Sequence, residues 1–195
     1  MRKAEVKRKT TETDITLEIN IDGTGLAEID SGSGFFDHML GAVCRHGGFD
    51  MWLCCRGDTH VDYHHTVEDI ALVLGKAVSE ALGERKGITR YGCATIPMDE
   101  ALVSAAVDIS GRGGFYGSAG IERQKIGDFD SELADEFFVG FCRGANLTLH
   151  LKRLGGRNAH HIAEAAFKAF ARALRQAVAA DERSAGVVPS TKGTL

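Results

Sequence analysis

Apolar and polar residues alternate from Ile15 to Asp22, with Ile15, Leu17, Ile19 and Ile21 on one side and Thr16, Glu18, Asn20 and Asp22 on the other. That two-residue period belongs to a half-buried strand. Asp22-Gly23-Thr24-Gly25 predicts a turn into a second strand over Leu26–Ile29. A short helix is expected over Phe35–Arg45, ending near Gly47-Gly48, followed by a strand over Phe49–Arg56. From His64 to Leu82, the residues Val67, Ile70, Leu74, Ala77, Val78 and Ala81 recur at helical spacing until Gly83 stops the run. The second half keeps this order. A strand over Leu102–Ile109 leads into Ser110-Gly111-Arg112-Gly113, a helix is expected over Glu132–Cys142 and a strand over Leu147–Leu151. A long amphipathic helix then covers His160–Ala180, and Asn158 stands where its N-cap belongs.

The likeness of the halves extends to particular residues. Two His-His-x-x-Glu segments lie 96 residues apart (160 − 64), and at the same offset Met51-Trp52-Leu53-Cys54 aligns on Leu147-Thr148-Leu149-His150. Earlier positions match at an offset of 88, Glu12 with Glu100 and Asp22-Gly23 with Ser110-Gly111, so an eight-residue insertion is expected within Ser118–Asp130. The expected fold is α+β, a tandem duplication of a strand-strand-helix-strand-helix half with the helices packed between two four-stranded sheets. The halves are read as residues 9–88, preceded by an extension over 1–8, and 89–182, with 183–195 as a C-terminal tail that closes over substrate.

Composition narrows the class. The 195 residues carry 27 acidic and 23 basic groups, a net charge of −4, which argues against general nucleic-acid binding. No apolar run approaches the roughly 20 residues of a membrane helix, and Met1-Arg2-Lys3-Ala4-Glu5 runs into polar sequence without a secretory signal. Five cysteines without a CxxC spacing read as reduced, buried side chains of a cytoplasmic protein.

Eight histidines are the unusual feature of this composition, and four of them form the pairs His64-His65 and His160-His161. On a helix Glu68 faces both His64 and His65, and Glu164 faces both His160 and His161. Imidazole and carboxylate donors without thiolate suit a divalent transition metal. Adjacent helical residues diverge by about 100°, so each pair is expected to address two ions, shared with the other half or with another subunit. His38, in Asp37-His38 ahead of an apolar helix, is a further candidate ligand. These donors alone fit a lyase, a dinuclear metal-dependent phosphoester hydrolase or a non-catalytic metal-binding protein.

Longer motifs separate these readings. Phe36-Asp37-His38-Met39-Leu40, His64-His65-Thr66-Val67-Glu68-Asp69, Pro97-Met98-Asp99-Glu100-Ala101, Ser110-Gly111-Arg112, His160-His161-Ile162-Ala163-Glu164-Ala165 and Pro189-Ser190-Thr191-Lys192-Gly193 occur in one order along the chain. Together they resemble the imidazoleglycerol-phosphate dehydratase family. The resemblance implies dehydration of imidazole glycerol phosphate to imidazole acetol phosphate in histidine biosynthesis, through a substrate imidazolate held by two Mn2+ per subunit, in a homo-oligomer of 24 subunits. It places metal ligands at His38, His64, His65, Glu68, His160, His161 and Glu164. An eighth family ligand, often a histidine, falls on Glu136, whose carboxylate can also bind manganese. The same resemblance places Glu12 at a substrate-site position, and proton transfer is expected of Glu12 assisted by Glu164, with Glu68 also among the catalytic carboxylates. It assigns phosphate recognition to Arg90, Arg112, Lys168, Ser190, Thr191 and Lys192, and His46 is expected near substrate because it shares the helix of His38. His38, His64, Glu68 and His160 are then expected to meet the imidazole as well as the metal.

Overall fold

A computed structural model describes all 195 residues as two mixed sheets enclosing four helices. In the first half, strands β1 (Lys3–Lys9), β2 (Thr13–Asn20), β3 (Ala27–Asp30) and β4 (Asp50–Gly57) are interleaved with helices α1 (Gly34–Gly47) and α2 (His64–Leu82). The second half has β5 (Tyr91–Met98), β6 (Ala101–Asp108), β7 (Gly114–Ser118), a small hairpin β8 (Lys125–Ile126) and β9 (Phe129–Asp130), α3 (Leu133–Ala145), β10 (Thr148–Gly155) and α4 (Ala159–Val178). The sheets are ordered β1-β2-β4-β3 and β5-β6-β10-β7, and in each the last pair is parallel. The expected α+β duplication and its two four-stranded sheets stand, and β1, β5 and β7 are strands of these sheets that the periodicity did not indicate.

The additional strands lie at the sheet edges. Residues 1–8 read from sequence as an extension, but Lys3–Lys9 pairs in full register with β2. Only Val6 of this strand is fully buried, among Lys3, Glu5, Lys7, Arg8 and Lys9. Such charged edges blunt unwanted sheet pairing and also erase the alternating pattern. β5 and β7 are half-exposed in the same way.

Pairing also corrects the alignment of the halves. Met51 pairs with Ile19 and Ala27, while Leu149 pairs with Val107 and Phe115. The β4/β10 offset is therefore 98 (149 − 51), against 88 for the strands before it (115 − 27). Ten residues, the β8–β9 segment, are inserted ahead of α3, and two are missing between β10 and α4. A two-residue slip keeps every strand side chain on its own face, so the apolar pattern reads the same at 96 and 98.

The helices exchange partners between halves. α2 covers β1 and β2 but packs against α3, whereas α4 covers β5 and β6 but packs against α1. The α2–α3 contact is close because both helices carry glycine there: a Cβ on Gly75 would lie 2.3 Å from the Phe141 carbonyl oxygen. The bundle centre is aromatic. Phe137, Phe138 and Phe141 of α3 meet Phe167 and Phe170 of α4 at ring separations of 4.9–6.3 Å. From the inserted hairpin, Phe129 is wholly buried against Phe35 and Phe36 of α1. No helix is long and apolar enough to cross a membrane. All five cysteines are unpaired, and burial pushes the Cys44, Cys55 and Cys142 thiols up to about 12.

Candidate metal centre

The start of α4 is fastened from two sides. The Asn158 side chain accepts from the His161 N–H at 3.2 Å, as expected of an N-cap. Glu100 Oε1 accepts from the Arg157 and Asn158 N–H groups at 3.0 and 2.8 Å. Three helix-start donors are thereby satisfied, and the first turn presents His160, His161 and Glu164.

His38 reaches this turn from α1. His160 Nε2 lies 3.2 Å and His38 Nε2 3.5 Å from the same Glu164 oxygen. The ligand atoms of His38, His160 and Glu164 all fall within 4.8 Å of one another, the one such grouping of three in the chain. Burial alone would raise the Glu164 carboxyl, but the Lys168 ammonium, 2.5 Å from its other oxygen, with His38 and His160, holds it below its ordinary range. Two imidazole nitrogens converging on a buried, ionised carboxylate form a donor set that fits a divalent transition metal.

The neighbouring histidine turns away. The His160 and His161 rings are inclined at 86°, as His64 and His65 are at 88°. His161 Nδ1 is 2.7 Å from Glu100 Oε2, which raises its basicity. On α2, His65 Nδ1 is 2.9 Å from Asp58 Oδ2, and its Nε2 is 3.7 Å from Glu12 Oε1. Adjacent histidines thus face different directions, as helical geometry requires.

The α2 cluster is not closed in the same way. Glu68 lies 3.8 Å from Arg143 Nη1 of α3. α3 runs parallel to α2, with Gly140 against the Glu68 main chain and Gly144 against that of Leu72. One turn earlier, half-buried Glu136 therefore stands toward the start of α2, where His64 is. At the structural offset of 98, Glu136 is the twin of His38. His64, Glu68 and Glu136 nevertheless do not converge as their counterparts do.

The phosphate residues expected from sequence divide into two places. Lys168 belongs with the cluster of His38, His160 and Glu164, where it pairs with Glu164. His46, two turns beyond His38, is held below its ordinary value by burial and by the Lys168 and Arg172 charges. Arg90, Arg112, Ser190, Thr191 and Lys192 instead line a surface cleft with Tyr91 and Pro189. Arg90 is engaged there: it donates to the Asp108 carboxylate at 2.8 Å and to the Pro189 carbonyl at 2.7 Å, tying down the tail. Its main-chain N–H bonds Ala177 at the far end of α4. Seventeen residues of helix, about 26 Å at 1.5 Å per residue, separate that end from His160.

Sequence reasoning paired Glu100 with Glu12 but gave it no role, and it missed Asp58. Glu100 had a signal, its 88-residue offset from Glu12. Asp58 had none, since its counterpart loop is shorter by two residues.

Known proteins place this arrangement. The family description imidazoleglycerol-phosphate dehydratase matches residues 31–174. The chain is 54% identical over 195 residues to the imidazoleglycerol-phosphate dehydratase of Methylobacillus flagellatus, covering 100% of this chain and 98% of that one. It is 55% identical to that of Aminomonas aminovorus, with 100% of both covered. Among solved structures, the imidazoleglycerol-phosphate dehydratase of Pyrococcus furiosus superposes with a TM-score of 0.84 at 40% identity, covering 97% of this chain and 100% of that chain. That of Staphylococcus aureus gives 0.80 at 38% identity, covering 91% and 99%. With identity above half over its full length and the same two-sheet fold, the chain belongs to the imidazoleglycerol-phosphate dehydratase family.

Proposed function

We propose that this chain is a hydro-lyase converting imidazole glycerol phosphate to imidazole acetol phosphate, a step of histidine biosynthesis, at metal centres completed between copies of itself. The convergence of His38 and His160 on buried Glu164 carries the reading, together with membership of the family. Those three residues would hold one manganese ion. His64, His65, Glu68, Glu136 and His161 are the donors available to a second ion, for a total of two Mn2+ per subunit. When bound, manganese supplies Lewis-acid stabilisation of negative charge on the imidazole and on the departing oxygen.

The chain's own groups account for proton movement. A C–H proton must leave and a hydroxyl must depart as water, giving an enol that tautomerises to the ketone. Glu12 suits removal of the C–H proton, because its side chain is half-exposed and meets only the far edge of His65. Glu164 is locked by Lys168, His38 and His160, and Glu68 faces Arg143, so they serve to orient the centre and assist Glu12. Phosphate recognition falls to Arg112, Ser190, Thr191 and Lys192, with Arg90 holding the tail against Asp108. His46 and Lys168 supply polar contacts nearer the imidazole.

A single copy cannot apply both clefts to one small substrate, because they lie at opposite ends of α4. A homo-oligomer in which one copy's tail cleft meets another's metal cluster resolves this, and we propose the 24-subunit form. The test is turnover of imidazole glycerol phosphate with Mn2+ by the parent, His65→Ala and His161→Ala proteins, with particle mass measured before and after chelation. Turnover by the parent alone is expected. Full turnover by either variant would overturn the assignment.

A further inference from the structure

Glu12 and Glu100 occupy equivalent places in the two halves, each ahead of its own His-His helix, yet they do different work. Glu100 is saturated: its two oxygens accept from Arg157 N, Asn158 N and His161 Nδ1. It thus caps α4 and orients the second histidine of the pair. In the first half both jobs have moved elsewhere. Asp62 Oδ1 accepts from the His64 N–H at 2.7 Å, fastening α2, and Asp58 Oδ2 takes His65 Nδ1 at 2.9 Å. Both aspartates lie in the β4–α2 loop, the segment two residues longer than its counterpart between β10 and α4. The Asp58 N–H donates to the Glu12 carbonyl at 3.0 Å, so this loop is laced to the Glu12 main chain while leaving its side chain free.

We infer that Asp58 and Glu100 are positioning residues that hold Nδ1 of His65 and His161 and present their Nε2 atoms outward, and that Asp58 is what releases Glu12 for chemistry. Hydrogen bonding at one ring nitrogen decides which nitrogen remains available to a metal, and it fixes the ring's orientation. With Nδ1 occupied on both histidines, each offers Nε2. Asp58 takes from Glu12 the duty that Glu100 still performs, and an otherwise symmetric duplication acquires one unsatisfied carboxylate beside one metal-facing histidine. The inference rests on the metal reading above and concerns only residues behind it.

Mn2+ titration of the chelator-stripped, reassembled protein, read by calorimetry, separates these roles. Asp58→Ala is expected to weaken manganese binding by about 10- to 100-fold. Asp58→Asn, whose amide oxygen can still accept from Nδ1–H, is expected to recover most of that loss. Glu12→Gln is expected to bind Mn2+ as the parent does while losing about 10²-fold or more in kcat. Circular dichroism confirms folding of each variant, and if Asp58→Ala does not fold, Asp58→Ser, whose hydroxyl is too short to reach Nδ1, replaces it with the same expected loss. Parent-like binding by Asp58→Ala would overturn the inference. So would equal loss in Asp58→Asn and Asp58→Ala, or an equal loss of binding in Glu12→Gln. Failure of the parent to bind Mn2+ would instead strike the metal reading itself.

Discussion

The start of α4 gathers His38, His160 and Glu164 around one carboxylate oxygen, whereas the start of α2 carries the same His-His-x-x-Glu motif without gathering it. The helices are equivalent in sequence and in their place on each sheet. What differs is the partner helix: α1 delivers a histidine to α4, and α3 delivers Glu136 to α2. Two carboxylates near one turn repel each other unless a cation lies between them, and Glu68 faces Arg143 instead. Imidazoles have no such quarrel with Glu164. The candidate donors thus converge where the partner helix brings a histidine and not where it brings Glu136, although the motif is the same.

Several substitutions test how unequal the two clusters are. The largest effect is expected for Glu164→Gln, which removes the charge around which His38, His160 and Lys168 are arranged. Its kcat for imidazole glycerol phosphate should fall by on the order of 10²–10³-fold, and further than in Glu68→Gln. Equal losses would show that the difference between clusters has no catalytic consequence. Next is removal of residues 190–195, which takes away Ser190, Thr191 and Lys192 but no metal donor. KM should rise by about 10- to 100-fold, the worth of one or two charged hydrogen bonds, with metal content unchanged; an unaltered KM would refute closure by the tail.

Glu136→His makes the α2 cluster a chemical copy of the α4 cluster. It should shift preference from Mn2+ toward Zn2+ by about tenfold, since an added imidazole favours the softer ion; competition titration reads the ratio. An unchanged ratio would remove Glu136 from the metal centre. The smallest difference concerns packing. Phe138 and its twin Leu40, 98 residues apart, are both fully buried. Phe138→Ala should cost about 3–5 kcal/mol and Leu40→Ala about 2–5 kcal/mol, the excess reflecting the ring contacts of Phe138 with Phe167 and Phe170. Denaturant unfolding of the assembled protein reads both, and a larger loss for Leu40→Ala would place the centre of the bundle in the first half.

Local order was legible where it depended on neighbours in the chain. Asn158 caps α4 as expected, the glycines placed after the first two predicted helices, Gly48 and Gly83, cap them, and the divergence of His64 from His65 followed from helical rotation alone. Candidate donors were named through motif resemblance, but the convergence of His38 with His160 and Glu164 was not. Charged edge strands such as Lys3–Lys9 carry too few apolar residues to show a period. Asp58 lies in a loop whose length differs between halves, so no repeat pointed to it.

By itself the sequence determined the α+β duplication, the helices that bear the histidine pairs, and the family. The first two depend on periodicity and spacing and the family on motif resemblance, all of them properties of contiguous residues. Only the tertiary structure decided that α1 packs on α4 and α3 on α2, so that His38 of one half completes the cluster of the other. It also decided the true 98-residue offset of β10 on β4, and it set the tail cleft at the far end of α4 from the cluster of His38, His160 and Glu164. Such choices are made by packing between elements distant in the chain. A two-residue strand slip or an exchange of helix partners leaves every local pattern unchanged.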